Sequence, residues 1–204
     1  MRKDKIGGSK ARQKILDAAL RLFAAKGFAA TSVRDITDAT SYTQPVLYYH
    51  FQSKAALYET LVQQAYAECR QRMEDAALRS SKIDEQLTAA LEAVLTFVRD
   101  RRDLTRLAFA TAFAASEEVP AGIRRISRNH GNLEFVRSLI ERAQKAGKLN
   151  SGFNSLELAK GIYGALSYQV MASLLWEDEV PGRRQAERMV RLFLEGASSR
   201  RGRR

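Results

Sequence analysis

Gln44, Pro45 and Val46 are the residues in this chain whose chemistry best suits the edge of a base pair. A carboxamide donates and accepts at once, so Gln44 can bond adenine N6 and N7 as a pair. Pro45 and Val46 offer apolar surface to a thymine methyl. Further on, Lys54 brings a cation to a helix start, where unpaired backbone N–H groups make a natural phosphate site. Other chemistry is sparse. His50 and His130 are the only histidines, with no H-x-x-x-H or C-x-x-C spacing for a metal. No G-x-S-x-G, Walker loop or G-x-G-x-x-G is present. The expectation is a binding protein, not an enzyme, with no metal and no cofactor.

Those residues need a frame, and the stretch Thr31 to Lys54 supplies it. Thr31 or Ser32 can cap a short helix, with Asp35 near its positive end. Val33, Ile36 and Ala39 recur on one face at helical spacing. Thr40-Ser41-Tyr42 breaks the pattern, and Thr43 offers a second N-cap hydroxyl. Gln44 and Pro45 fill the next first turn, where the missing proline N–H costs nothing. Leu47 and Phe51 point into a core, leaving Gln44, Val46, Tyr48, Tyr49 and His50 to face outward. At 3.6 residues per turn the two tyrosines cannot share a face, and Tyr49 is the one expected outside. Two short helices around a tight turn are the helix-turn-helix of DNA readers.

Upstream, Ile15, Ala18, Ala19, Leu22 and Phe23 form the stripe of an amphipathic helix ending at Gly27. Downstream, Ser53 caps a long fourth helix. Arg12 to Leu61 resembles the N-terminal domain of tetracycline-repressor (TetR) type regulators. The shared pattern is Ile15, Ala18-Ala19, Leu22-Phe23, Gly27-Phe28, Thr31-Ser32-Val33, Ile36, Leu47-Tyr48-Tyr49-His50-Phe51, Ser53-Lys54 and Leu57. The departures are Thr37, Thr40, Ser41 and Tyr42, where the family usually has Ala, Ala, Gly and Val. An L-residue in a left-handed turn costs about 1–2 kcal/mol, so Ser41 either accepts strain or the turn takes another shape. The resemblance implies that Ser32, Arg34, Thr43, Tyr49 and His50 also meet phosphates, with Tyr48 at the same surface.

Composition agrees with a helical protein. Ala, Leu, Arg, Gln and Glu dominate its 204 residues, of which 45% are hydrophobic, and only three prolines interrupt. The single cysteine, Cys69, excludes an intramolecular disulfide framework and fits a reducing compartment. The start MRKDKIGGSK has no apolar signal region, and the longest uncharged run, 161–176, falls short of the roughly 20 apolar residues of a bilayer span. The expected location is the cytoplasm, at the nucleoid, without a membrane partner. The net charge of +11 is uneven. Residues 1–60 hold ten Lys/Arg against five Asp/Glu, residues 183–204 eight against two, and the middle is neutral. In the first section the excess coincides with the helix-turn-helix and suits phosphate attraction. A coat on nucleic acid without sequence preference is the second reading.

The expected architecture is all-α, about nine helices. Residues 1–9 read as a flexible basic start, 10–55 as a three-helix DNA-binding head, 56–198 as a helical effector and dimerisation bundle, and 199–204 as a basic tail. Later helices are expected near 83–101, 103–116, 121–147, 156–178 and 183–198. Phe97, Phe109, Phe113, Phe135, Tyr163, Tyr168, Met171 and Trp176 give the neutral section aromatic and soft surface. Such a stripe is more often plain core. The resemblance implies a pocket for a small, largely apolar effector, drawn from Phe97, Phe109, Phe113, Tyr163, Tyr168 and Met171, with Arg106 or Gln169 as polar groups. It also implies a homodimer on a palindromic operator, most often a repressor released by that effector. The last two helices would pair with their mates through Ile162, Ala165, Met189, Val190, Phe193 and Leu194. Ordinary packing within one chain is the alternative for that face.

Overall fold

A computed structural model describes residues 2–115, 118–120, 122–123, 131–176 and 180–195. Met1 and the basic tail 199–204 lie outside them. So do residues 124–130, where the periodicity begins the helix expected at 121–147. Among the described residues the fold is all-α, with nine helices and no strand. They are α1 (Arg2–Lys26), α2 (Val33–Asp38), α3 (Gln44–Phe51), α4 (Lys54–Ala77), α5 (Ile83–Asp100), α6 (Arg102–Phe113), α7 (Gly131–Lys145), α8 (Ser155–Leu175) and α9 (Arg183–Glu195). Within the stretch 1–9, expected as flexible, the described residues 2–9 are helical and belong to α1 in spite of Gly7 and Gly8. None of these helices is long and apolar enough to cross a membrane.

The chain divides into two compact units, Met1–Ala67 with Arg101–Asn129, and Glu68–Asp100 with His130–Arg204. The sequence reading closes the DNA-reading domain at residue 55, whereas this division falls inside α4 and adds α6 to the head. In the first unit α1 packs against α2, α3 and α6, and α2 against α3. Ile15, Ala19, Phe23, Ile36, Leu47, Leu57 and Leu61 form its buried centre. Tyr58 stands its ring edge-on to Phe23 and Phe28, at 5.0 and 5.1 Å. Its hydroxyl pairs with Thr111 Oγ1 at 2.7 Å, fastening α4 to α6. Burial raises the Tyr58 pKa, so the hydroxyl stays a neutral hydrogen-bonding group. The six larger of these apolar side chains, each worth about 1.5–3 kcal/mol when fully buried, are what hold these short helices together.

In the second unit α5 packs against α7, α8 and α9, and α8 against α7 and α9. Leu87, Leu91, Leu95, Val136, Leu139, Ile140, Leu166 and Val190 are its buried centre. Asn154 caps α8, its Oδ1 accepting from the N–H groups of Leu156 and Glu157. Arg72 bonds Asp100 and Glu68 at 3.0 and 2.8 Å, and Arg183 ties α9 to Glu92 of α5 at 2.9 Å. Cys69 is buried, and burial pushes its thiol up to about 12, which leaves it a packed, unreactive group.

Candidate nucleic-acid interface

The helix-turn-helix is held by local bonds that its own residue types provide. Gly27, at φ +79, ends α1, its N–H bonded to Phe23 O at 2.9 Å. Ser32 caps α2: its Oγ accepts from Asp35 N–H at 3.0 Å, while Asp35 Oδ2 accepts from Ser32 N–H at 2.9 Å. The Ser32 N–H, then its hydroxyl, hold the Asp35 carboxyl below the usual aspartate range. Ile36 and Thr37 are the buried residues of α2. Ala39, expected on that face, is the exposed C-cap. Thr40 Oγ1 donates within the turn, toward Ile36 O and Thr37 O at 3.1 Å each. Ser41 takes φ 60, so of the two outcomes set out for this turn the chain adopts the strained one.

On α3, Leu47 and Phe51 are buried, and Gln44, Pro45, Tyr48 and Tyr49 are exposed. Tyr49 is 84% exposed against 44% for Tyr48, the order the 3.6-residue turn gives. Val46 and His50 are half-buried, His50 lying edge-on to Tyr49 at 5.1 Å. Thr43 sits at the N-cap with extended backbone, but its hydroxyl makes no capping bond. It therefore leads the helix start with an exposed hydroxyl beside the Gln44 N–H, a pair suited to a phosphate oxygen, while Pro45 has no N–H and that of Val46 bonds Thr43 O at 3.1 Å. Ser32 and Arg34, the latter paired at 3.7 Å to the also exposed Asp38, lie at the exposed start of α2. A surface pair of this kind is worth about 0–1 kcal/mol and gives way readily to a better anion.

Lys54 makes contacts within the head besides the phosphate contact expected of it. Its ammonium donates to Phe28 O at 2.9 Å and Thr31 O at 2.8 Å, and stands 4.2 Å from the centre of the Phe28 ring. Burial lowers its pKa from the usual lysine value. Two carbonyls and a ring face therefore steady the cation, and these two bonds leave its third N–H for a phosphate. Three further features of the head add to the sequence pattern, which places a corner at Gln52 and Ser53 without its backbone geometry. Thr31 is fully buried and donates its hydroxyl to Gly27 O at 2.7 Å. Gln52, at φ 60 and ψ -39, turns the chain sharply out of α3, with Ser53 N–H bonded to Phe51 O at 2.5 Å. Arg12 stacks over the Phe51 ring at 5.0 Å. A glycine or asparagine would mark the positive φ of that corner; a glutamine does not.

The predicted effector residues are distributed over both units. Phe109 and Phe113 belong to the first unit, and Phe97, Tyr163, Tyr168 and Met171 to the second. Phe97 is core at 3% exposure, Phe113 is 78% exposed, and Phe109, Tyr163 and Met171 are half-buried. A cleft of about 560 Å³ in the second unit is lined by Arg72, Asp75, Arg79, Glu85, Glu92 and Arg183 among others, with none of the predicted residues. Of the predicted pairing residues, Ile162 and Val190 are each 2% exposed and so pack inside their own chain. Ala165 is exposed, and Met189, Phe193 and Leu194 are half-buried. The same helices also expose Tyr168, Leu175, Trp176 and Leu192. No cluster of metal-ligating side chains occurs among the described residues.

Residues 15–61 match the family profile described as bacterial regulatory proteins, tetR family. The transcriptional repressor KstR2 of Rhodococcus jostii is 30% identical over 152 residues, covering 74% of this chain and 72% of that one. The chain belongs to the tetR family. Among solved structures, the fatty acid degradation regulator FadR from Bacillus halodurans superposes with a TM-score of 0.80 at 16% identity, over 93% of this chain and 97% of that one. FadR from Bacillus subtilis, in complex with stearoyl-CoA, gives a TM-score of 0.76 at 16% identity, over 91% and 99%. At these identities the likeness is one of fold. As a tetR-family member this protein is a helix-turn-helix transcriptional regulator, and α2 and α3 are its helix-turn-helix.

Proposed function

We propose that two copies of this protein pair through α8 and α9 and set their α3 helices into a palindromic operator, which they leave when a small, largely apolar effector binds. The observation that carries the reading is the outward face of α3, where Gln44, Pro45 and Tyr49 are exposed on a helix anchored by buried Leu47 and Phe51. Gln44 reads adenine, and Pro45 and Val46 meet a thymine methyl. Ser32, Arg34, Thr43, Tyr48, Tyr49 and His50 position the backbone. One good base pairing supplies about 1–3 kcal/mol, whereas specific sites exceed random DNA by about 4–10 kcal/mol. A lone α3 therefore falls short, and two copies on two half-sites close the gap. Exposed Leu175, Trp176 and Leu192 favour α8 and α9 as the pairing face.

Repression by occupation of promoter DNA is the simplest output of such binding. The effector must bind the DNA-incompetent arrangement more tightly than the competent one, and operator affinity then falls by that ratio. The stearoyl-CoA held by the Bacillus subtilis protein is apolar only in its acyl chain, and it serves as the first probe for a site that takes a long apolar chain. The test is competition of random DNA against a duplex selected by the protein, at near-physiological salt, with and without stearoyl-CoA. The reading expects the selected duplex to survive a large excess of random DNA. Equal displacement by both would leave a protein that coats DNA without a preferred sequence.

A further inference from the structure

The cleft of about 560 Å³ in the second unit is a trough between two stripes of side chains. Arg72, Asp75, Ala76 and Arg79 recur at helical spacing along α4 and the turn that ends it, and Glu85, Ala89, Glu92, Ala93 and Thr96 along α5. Ala76, Ala89 and Ala93 stop at Cβ and are half-buried, so they make a floor that longer side chains would fill. Arg183, the first residue of α9, adds a third cation to Arg72 and Arg79. Most of the charges around this trough are committed. Arg72 donates to Asp100 and Glu68 at 3.0 and 2.8 Å, and Arg183 to Glu92 and Glu187 at 2.9 Å each. Both oxygens of Glu85 accept, one from the Ser80 hydroxyl at 2.5 Å and the other from the Lys82 ammonium at 3.0 Å.

Two opposite charges are left over. Asp75 Oδ1 accepts a bond from Gln71 Nε2 at 2.9 Å, and its Oδ2 takes none among the described residues. The Arg79 guanidinium makes no hydrogen bond or ion pair among them either. Both side chains are exposed at the rim, one helical turn apart, and they do not pair with each other. We infer that this cleft binds a small zwitterion of the α-amino acid type, a polar ligand additional to the apolar effector proposed above. Arg79 takes the carboxylate in a bidentate bond, Asp75 Oδ2 accepts from the ammonium, and the ligand side chain lies on the alanine floor. A plain anion would bring its charge against Asp75 and Glu92, and a plain cation would meet three guanidiniums. A zwitterion satisfies both leftover groups. It also adds no net charge to a lining in which Arg72, Arg79 and Arg183 already balance Asp75, Glu85 and Glu92.

The test uses the full chain with ¹³C-labelled alanine methyl groups, which place reporters at Ala76, Ala89 and Ala93 on the floor of the cleft. The probes are the standard amino acids at millimolar concentration. Each is compared with its amide, which lacks the carboxylate, and its N-acetyl derivative, which lacks the ammonium. One or more amino acids should shift these methyl signals in a saturable way, and both derivatives should bind at least about tenfold more weakly. Arg79→Met and Asp75→Asn should each weaken that binding by about the same factor. Both side chains are exposed, so the variants should keep wild-type helicity; the derivatives need no variant and decide the question on the wild type alone. Absence of any saturable shift at these methyls, or shifts confined to alanines elsewhere, overturns the inference. So does an N-acetyl derivative that binds as tightly as its parent, which marks a plain anion site, or an amide that does, which marks a plain cation site. A folded variant that binds like the wild type overturns it as well.

Discussion

Replacing Ser41 by glycine should make the helix-turn-helix more stable, against the usual direction for glycine. Ser41 holds φ 60, where an L-residue sets its Cβ against the following carbonyl at about 1–2 kcal/mol. Its side chain is exposed and makes no hydrogen bond among the described residues, so removing it forfeits no contact. The opposing effect is the extra freedom glycine has in the unfolded chain, about 0.4–1 kcal/mol. The difference favours the variant by about 0.8 kcal/mol. Hydrogen exchange of the α2 and α3 amides, read by mass spectrometry, reports the opening of this segment directly. By the conversion of 1.4 kcal/mol per factor of ten, protection should rise about fourfold. Ser41→Ala, which keeps the Cβ, should leave it within about 0.5 kcal/mol. Protection that falls on Ser41→Gly would refute the reasoning, because it would mean glycine's entropy was lost with no strain relieved.

Three other changes probe separate joints of the account. Tyr58→Phe removes the buried bond to Thr111, which keeps its second bond to Leu107 O at 2.6 Å; the expected loss is about 0.5–1.5 kcal/mol by urea unfolding. The capping box makes α2 sensitive to acid. Asp35 is held below its ordinary value of 3.8, so its support is present above that pH and is lost as the pH falls through the lower folded value. Exchange of the α2 amides followed against pH should show this, and Asp35→Asn should abolish it. Leu192→Glu places a charge at a side chain 60% exposed in the single chain. Analytical ultracentrifugation should find monomer with unchanged helicity, and a dimer of ordinary strength would move the pairing face elsewhere.

The local signals in the sequence carried over where chemistry acts within a turn or two. Ser32 with Asp35 is a capping box. Ser53 accepts from Ala56 N–H at 3.0 Å to start α4. Gly27 stops α1, and the spacing of Leu47 and Phe51 decides which face of α3 looks outward. What escaped is what only the folded chain brings together. Lys54 meets carbonyls at positions 28 and 31, and Tyr58 meets Thr111, with nothing in the intervening sequence to mark either pairing. In the same way, the amphipathic pattern of α9 marks Val190 for burial without saying against which chain, and its own chain takes it. Gly7 and Gly8 argue against helix by propensity, yet the helix runs through them, as tertiary and neighbouring context often override single residues.

The central claim is that the exposed face of α3 reads bases, and parallel selection of random DNA by wild type and by Gln44→Ala tests it most directly. Wild type should enrich a two-fold symmetric motif whose half-sites lie about one helical turn apart or a multiple of it. Gln44→Ala should enrich the same motif with preference lost at one base pair in each half, at a cost of about 1–3 kcal/mol for that contact. An unchanged motif from the variant, or none from the wild type, would contradict the account.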